Sequence, residues 1–316
     1  MNLFESTERK NQTILSEFIL LGLSPDPELQ TLFFVVFLVL YMITLLGNSA
    51  IMAIIRTDPQ LHHPMYFFLS NLSFSDLCYS SVTVPKMLAD FLEKEKTISF
   101  TGCMLQLHFF VLLLGSEGFI LATMAYDRYV AICNPLHYSN IMTTNLCILL
   151  AAIAWTAAFL NSIIHTTLIS QFSFCGSNVI NHFSCDIPPL LQLSCSDTFT
   201  SIIAIFVTTF CFGISAFSIT SMSYIGIIST VLKMRTSQGR QKAFSTCTSH
   251  LTVVLLFYVT ALFRYTQPYK RYPLEEDRVI FVLYSMVCPM LNPFIYSLRN
   301  SQIKGAVRKV IGKMAK

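Results

Sequence analysis

The chain has 316 residues, 53% of them hydrophobic and only 12% charged, with a net charge of +4. A water-soluble fold carries about a quarter charged residues, and a disordered chain lacks so many aromatic and branched side chains, so both classes are excluded. The small net charge leaves no footprint for nucleic acid, and what remains is a protein whose solvent is lipid.

In chain order, residues 1–28 form a polar arm without an apolar leader stretch, and Asn11-Gln12-Thr13 within it is a glycosylation acceptor. Seven apolar stretches follow, each near the roughly 20 residues that cross a bilayer as a helix. They are Leu29–Ile55, Met65–Leu88, Cys103–Val130, Leu146–Ile169, Ser201–Leu232, Ala243–Phe263 and Val279–Leu298. Period-two alternation is absent, which argues against a barrel. The predicted fold is an all-α membrane protein, a seven-helix bundle over residues 29–300.

The second, third, sixth and seventh stretches are interrupted by Asp76, Glu117, His250 and Asn292. An ionisable residue at mid-span costs about 2.5–3.5 kcal/mol on insertion scales, so each needs a reason. Asp76 and Glu117, with Asn48 and Asn292 able to join them, read either as a buried ion or proton site or as an interhelical hydrogen-bond network. Asp127-Arg128-Tyr129 ends the third stretch. Pro293 removes one backbone hydrogen bond from the seventh and frees a carbonyl. In the tail, residues 301–316, Ile303, Val307, Val310 or Ile311, and Met314 recur about every 3.6 residues among lysines and arginines. That pattern predicts a short amphipathic helix lying on the inner leaflet, in contact with membrane lipid.

With the N-terminus outside, the cytoplasmic segments hold twelve basic residues against two acidic ones, Asp58 and Asp127. This bias predicts a multi-pass protein of the plasma membrane with an extracellular N-terminus and a cytoplasmic C-terminus. Cys103, Cys175, Cys185 and Cys195 then share the oxidising side, and four cysteines allow three connectivities.

Several strings together resemble an olfactory receptor of the larger, tetrapod-type class within the rhodopsin-like G-protein-coupled receptors. They are Leu61-His62-His63-Pro64-Met65-Tyr66-Phe67-Phe68-Leu69-Ser70-Asn71-Leu72, Met124-Ala125-Tyr126-Asp127-Arg128-Tyr129-Val130-Ala131-Ile132-Cys133, Ser223-Tyr224, Lys242-Ala243-Phe244-Ser245-Thr246-Cys247 and Pro289-Met290-Leu291-Asn292-Pro293-Phe294-Ile295-Tyr296. The resemblance implies that Arg128 meets a G protein when helix six swings out, and that Asp127 holds it at rest. Tyr129, Asn292 and Pro293 belong to the same switch, and Tyr224 and Tyr296 turn inward to support the active arrangement. It implies a central polar site of Asn48, Asp76, Glu117 and Asn292, with sodium as a candidate occupant and no other cofactor or metal. It pairs Cys103 with Cys185 and Cys175 with Cys195.

The ligand cavity of such a receptor would lie in the outer half between helices three, five and six. Phe110, Val111, Leu114 and Gly115 share a face by their spacing; Thr208 and Phe212 come from helix five, and Tyr258, Ala261 and Tyr265 from helix six. Helix seven has no lysine for a retinal Schiff base, and Phe110 stands where amine receptors carry an aspartate. These features suit a small neutral volatile odorant, signalling through a stimulatory olfactory-type G protein to raise cyclic AMP. Val259 departs from the family pattern, where glycine is common, and is expected to narrow the pocket floor or stiffen helix six. A small transporter or channel built on Asp76 and Glu117 is the alternative from a different class. No catalytic motif supports an enzyme.

Overall fold

In the computed structural model, which describes residues 16–24, 26–174, 177–196, 199–234, 236–265, 274–299 and 301–314, the long helices start where the sequence supplies a cap. Asp26 accepts the Glu28 amide at 3.0 Å, Pro27 occupies the first turn, and α1 runs Pro27–Thr57. Pro64 opens α2, Pro64–Leu92. Ser99 Oγ accepts the Gly102 amide at 3.1 Å at the start of α3, Phe100–Cys133. Thr143 accepts the Leu146 amide at the start of α4, Thr144–Ser170. These side chains and prolines occupy the positions where helical amides have no partner of their own. α5 is Phe199–Lys233 and α6 is Ser237–Tyr265. α7 runs through Leu274–Val282, a π turn at Leu283–Val287, and Cys288–Arg299. α8 is Ser301–Met314.

Five of these are long and apolar enough to cross a membrane: α1, α3, α4, α5 and, within α7, Asp277–Ser297. α2 and α6 match them in length at 29 residues each. α2 buries Ser73, Ser75, Asp76 and Ser80 at its middle, and the apolar part of α6 is the shorter Cys247–Ala261. Large apolar side chains point away from the bundle, among them Leu46 at 65%, Phe206 at 56% and Ile225 at 67% exposure. Apolar cover on that scale requires lipid. α3 packs against α2, α4, α5 and α6, and α7 closes the bundle against α1, α2 and α6.

One end of the bundle carries a three-stranded sheet of β1 (Glu17–Leu20), β2 (Thr97–Ser99) and β3 (Val179–Ile180), with β1 central. β1 is antiparallel to β2, Phe18 opposite Ile98, and parallel to β3, Ile19 beside Val179. Phe18 and Leu20 are fully buried while Glu17 and Ile19 face out. Gly22 follows at φ 75, where a side chain would be strained. The N-terminal arm, expected only as a polar segment, thus supplies the middle strand of a cap.

Two large apolar cores lie above and below a polar layer, and a third, smaller cluster joins α3, α5 and α6 at Ala125, Tyr224, Ile227, Val231 and Cys247. The core at the cap end ends at Phe37, Tyr79, Leu113 and Cys288; the other begins at Ile51, Leu72, Ile120 and Tyr296. Between them on α1, α2, α3 and α7 fall Asn48, Asp76, Glu117 and Asn292, each 3% exposed or less.

Candidate functional site

At the cap end, Cys103 and Cys185 are joined by a disulfide that ties the loop after α4 to the first turn of α3. Gln106, one turn on, accepts the Cys185 amide at 2.9 Å and donates to the Val82 carbonyl at 3.1 Å. His182 of the same loop lies with Nε2 3.7 Å from Asp277 Oδ2 of α7, both buried, and Arg278 donates to Asn181 Oδ1 at 2.5 Å. Cys175, expected opposite Cys195, and Asn11 lie outside the described residues.

Below the cap, Phe110 is fully buried and its ring stacks on Phe281 at 4.9 Å, with Tyr79 at 5.1 Å and Tyr284 at 6.0 Å. It therefore faces α2 and α7. Gly115 faces α4, where an added Cβ would lie 3.2 Å from that of Ala158. At 100° per residue the positions 110, 111, 114 and 115 sweep about 140° of α3, so the expected common face divides. Val111 is buried and Leu114 half-buried. From α5, Phe212 sets its ring edgewise on Phe119 at 6.1 Å, and Thr208 Oγ1 lies 3.3 Å from His165 Nε2 of α4. Tyr258 is buried against the Phe217 ring and its hydroxyl reaches Thr220 at 3.4 Å, while Ala261 is half-buried. The Tyr265 side chain lies outside the described set. Val259 is 62% exposed and points out of the bundle, so it does not narrow a pocket floor. The residue after Tyr258 turns a further 100° around α6, away from the interior.

In the polar layer Asn292 Nδ2 donates to Asp76 Oδ2 at 2.9 Å. Ser75 and Ser116 bond to each other at 3.0 Å and link α2 to α3. Asn48 Nδ2 donates to the carbonyls of Thr44 and Pro289, both at 3.0 Å. Asp76 Oδ1, Glu117 Oε1 and Asn48 Oδ1 are buried without a hydrogen-bond partner. Oxygens that only accept, enclosed with no donor, fit a cation or a proton. Among the described residues, no three His, Cys, Asp or Glu converge as metal ligands, in this layer or outside it.

At the far end, Asp127 Oδ1 accepts the Tyr138 hydroxyl at 2.7 Å. Burial first, and then the neighbouring Asp127 carboxylate, push the Tyr138 phenol above its ordinary range. Among the described residues no direct ion pair joins Asp127 to Arg128, and the Asp127 carboxylate is turned to the short helix Tyr138–Ile141. Arg128 is half-buried and its Nε has no hydrogen-bond partner. Tyr129 packs over Gly226 of α5. Tyr224 shares a 2.6 Å hydrogen bond with His250 Nδ1, and His250 Nε2 lies 3.1 Å from the Leu121 carbonyl. That carbonyl can only accept, so the imidazole donates to it and receives from Tyr224, joining α3, α5 and α6. Tyr296 is buried, its hydroxyl without a partner.

His250 stood out in the sequence only as an interruption, and its bridging part needed the register of three helices. Tyr138, Gln106 and His165 left no signal stronger than being polar.

A family model described as olfactory receptor matches residues 37–314. Olfactory receptor 5AR1 of Mus musculus is 49% identical over 306 residues, covering 97% of this chain and 99% of its own length. Olfactory receptor 1F1 of Homo sapiens is 51% identical over 304 residues, covering 96% and 97%. The crystal structure of squid rhodopsin superposes with a TM-score of 0.71 over 90% of this chain and 81% of that one; at 18% identity this is a likeness of fold alone.

Proposed function

This chain belongs to the olfactory receptor family, an odorant-activated, G-protein-coupled membrane receptor and not an enzyme, and from that premise we propose how it senses and signals. The arm and cap face outward, and α8 lies on the cytoplasmic leaflet with its basic residues toward anionic lipid. The ligand is a small neutral volatile molecule on the cap side of the polar layer, among Phe110, Leu114, Thr208, Phe212 and Ala261, with the Tyr258 ring beneath. The observation that carries this reading is the cluster of aromatic rings around Phe110, turned to α2 and α7 on the cap side of the polar layer, together with the half-buried Thr208 hydroxyl of α5 beside His165 of α4. A wall of rings with a few hydroxyls selects by shape and one hydrogen bond. A ligand of about ten heavy atoms, at roughly 0.5–0.8 kcal/mol each, binds at about 1–200 μM.

The ligand acts by preferring the active arrangement, and a tenfold preference corresponds to about 1.4 kcal/mol. In that arrangement α6 moves outward, Tyr224 leaves His250 to turn inward with Tyr296, and Arg128 meets a stimulatory olfactory-type G protein, raising cyclic AMP. A sodium ion would be held by Asp76, Glu117 and Asn48, and its single charge would offset one of the two carboxylates. The test is cyclic AMP in cells co-expressing that G protein, across a broad volatile panel. Arg128→Ala runs alongside with surface staining. A dose-dependent response that the variant loses at equal surface level is expected. A full response from Arg128→Ala would remove that residue from the coupling site.

A further inference from the structure

On α4, His165 is buried with Nδ1 2.8 Å from the Asn161 carbonyl. A carbonyl only accepts, so Nδ1 carries the hydrogen and Nε2 of the neutral ring is a bare lone pair. Nε2 faces α5, 3.2 Å from Thr209 Oγ1 and 3.3 Å from Thr208 Oγ1. Each threonine has one hydroxyl hydrogen. Thr209 places its hydrogen on Nε2. Thr208 has the Ala204 and Ile205 carbonyls at 2.9 and 3.1 Å as well. Both hydrogens are thus engaged within the protein, and oxygen lone pairs are what these side chains have left to offer.

The Tyr258 hydroxyl repeats the pattern at a different depth. Thr220 gives its hydrogen to the Ala216 carbonyl at 2.9 Å, so at 3.4 Å Tyr258 is the donor and Thr220 the acceptor. Thr208 and Thr220 are twelve residues apart, about 18 Å of helix. A small ligand at Thr208 therefore finds its polar partner there and not at the Tyr258 hydroxyl.

We infer that the ligand's hydrogen bond is one that the ligand donates, so that the site takes alcohols and phenols ahead of aldehydes, ketones, esters and ethers of the same shape. This rests on the reading that Thr208 lines the ligand site. A carbonyl ligand must draw a hydrogen away from a bond already made, exchanging one bond for another. An alcohol adds a bond to a free lone pair, and the difference of one net hydrogen bond is about five- to tenfold in potency.

The experiment uses the full-length receptor at the cell surface and matched sets sharing one skeleton: alcohol, aldehyde or ketone, and methyl ether, over aliphatic, terpenoid and aromatic frames. Alcohols and phenols are expected to be about five- to tenfold more potent than their partners. Thr208→Val should collapse that ratio at normal surface level, and Thr208→Ser should restore it. Carbonyl compounds matching or exceeding the alcohols, with Thr208→Val still shifting potency, would overturn the donor assignment and leave the site in place. An alcohol preference indifferent to Thr208→Val would move the site elsewhere and overturn both. Silence to every alcohol in a well-displayed receptor would also overturn the inference.

Discussion

Pro293 has no amide hydrogen, so the carbonyl four residues earlier, at Pro289, loses its helical partner. Asn48 Nδ2 fills that vacancy at 3.0 Å and so ties α1 to the bend in α7. Asn48→Leu leaves a buried carbonyl without a donor and is expected to cost about 1–3 kcal/mol, read as a lower thermal midpoint of the purified receptor. An unchanged midpoint would mean that the carbonyl finds another donor. The freed carbonyl was legible in the sequence from Pro293 alone. Its partner was not, because Asn48 lies 241 positions away. Gly226 makes a similar point. A Cβ there would lie 2.5 Å from the Tyr129 ring, whereas one on Gly213 of the same helix meets nothing within 4 Å. Gly226→Ala must displace the ring and is expected to destabilise by about 1–3 kcal/mol. Gly213→Ala should be neutral or stabilising by up to about 1 kcal/mol, since glycine is a poor helix former. Thermal unfolding of the two variants side by side checks this, and equal effects would contradict the packing argument. In the sequence the two glycines look alike.

Among the elements, α8 was read from its amphipathic spacing, and the structure adds what fastens it. Ile303 and Ala306 are buried, Tyr66 donates to Gln302 at 2.5 Å, and Lys309 reaches Asp58 at 3.1 Å and Gln60 at 3.0 Å. The Gln60 amide and then Lys309 hold the Asp58 carboxyl below its ordinary range. A carboxylate depressed in the folded state stabilises it above the unfolded pKa, about 4, and loses that contribution as pH falls through the lower folded value. The pair is exposed, so salt weakens it as well. A spin label on α8 should gain mobility on acidification below about pH 4 or in high salt. Asp58→Asn should show the higher mobility at neutral pH and no acid step of its own; an acid step of the same size in Asp58→Asn would assign it to another group. The cap sheet lies at the other extreme of legibility. Glu17-Phe18-Ile19-Leu20 alternates in burial but not in polarity, since Ile19 is as apolar as its neighbours, and β2 and β3 are shorter still. Their pairing exists only because three distant segments meet over Phe100 and Phe174, against which Phe18 packs.

At the scale of the molecule, a polar layer divides the two larger apolar cores, and the cap closes one of them. The layer was legible because ionisable side chains in a span are costly enough to require partners. The outer site was less so: spacing placed Phe110 and Gly115 together, while the tilt and offset of neighbouring helices send one to α7 and the other to α4. The cap depends on the long loop, since β3, His182 and Cys185 all belong to it and Cys103–Cys185 fixes it to α3. That bond closes a separation of 82 residues, a long loop whose closure restrains the unfolded chain, and contributes a few kcal/mol, about 4. Without it the parallel pairing of β1 with β3 loses its anchor, and the buried His182–Asp277 contact with it. Cys103→Ser and Cys185→Ser are each expected to abolish surface display, and the double variant to be no worse than either single, because all three break the same bond. Surface staining against total protein measures this. Normal display of either single variant, or a double variant clearly worse than both, would mean that the loop is held to α3 by something other than this disulfide.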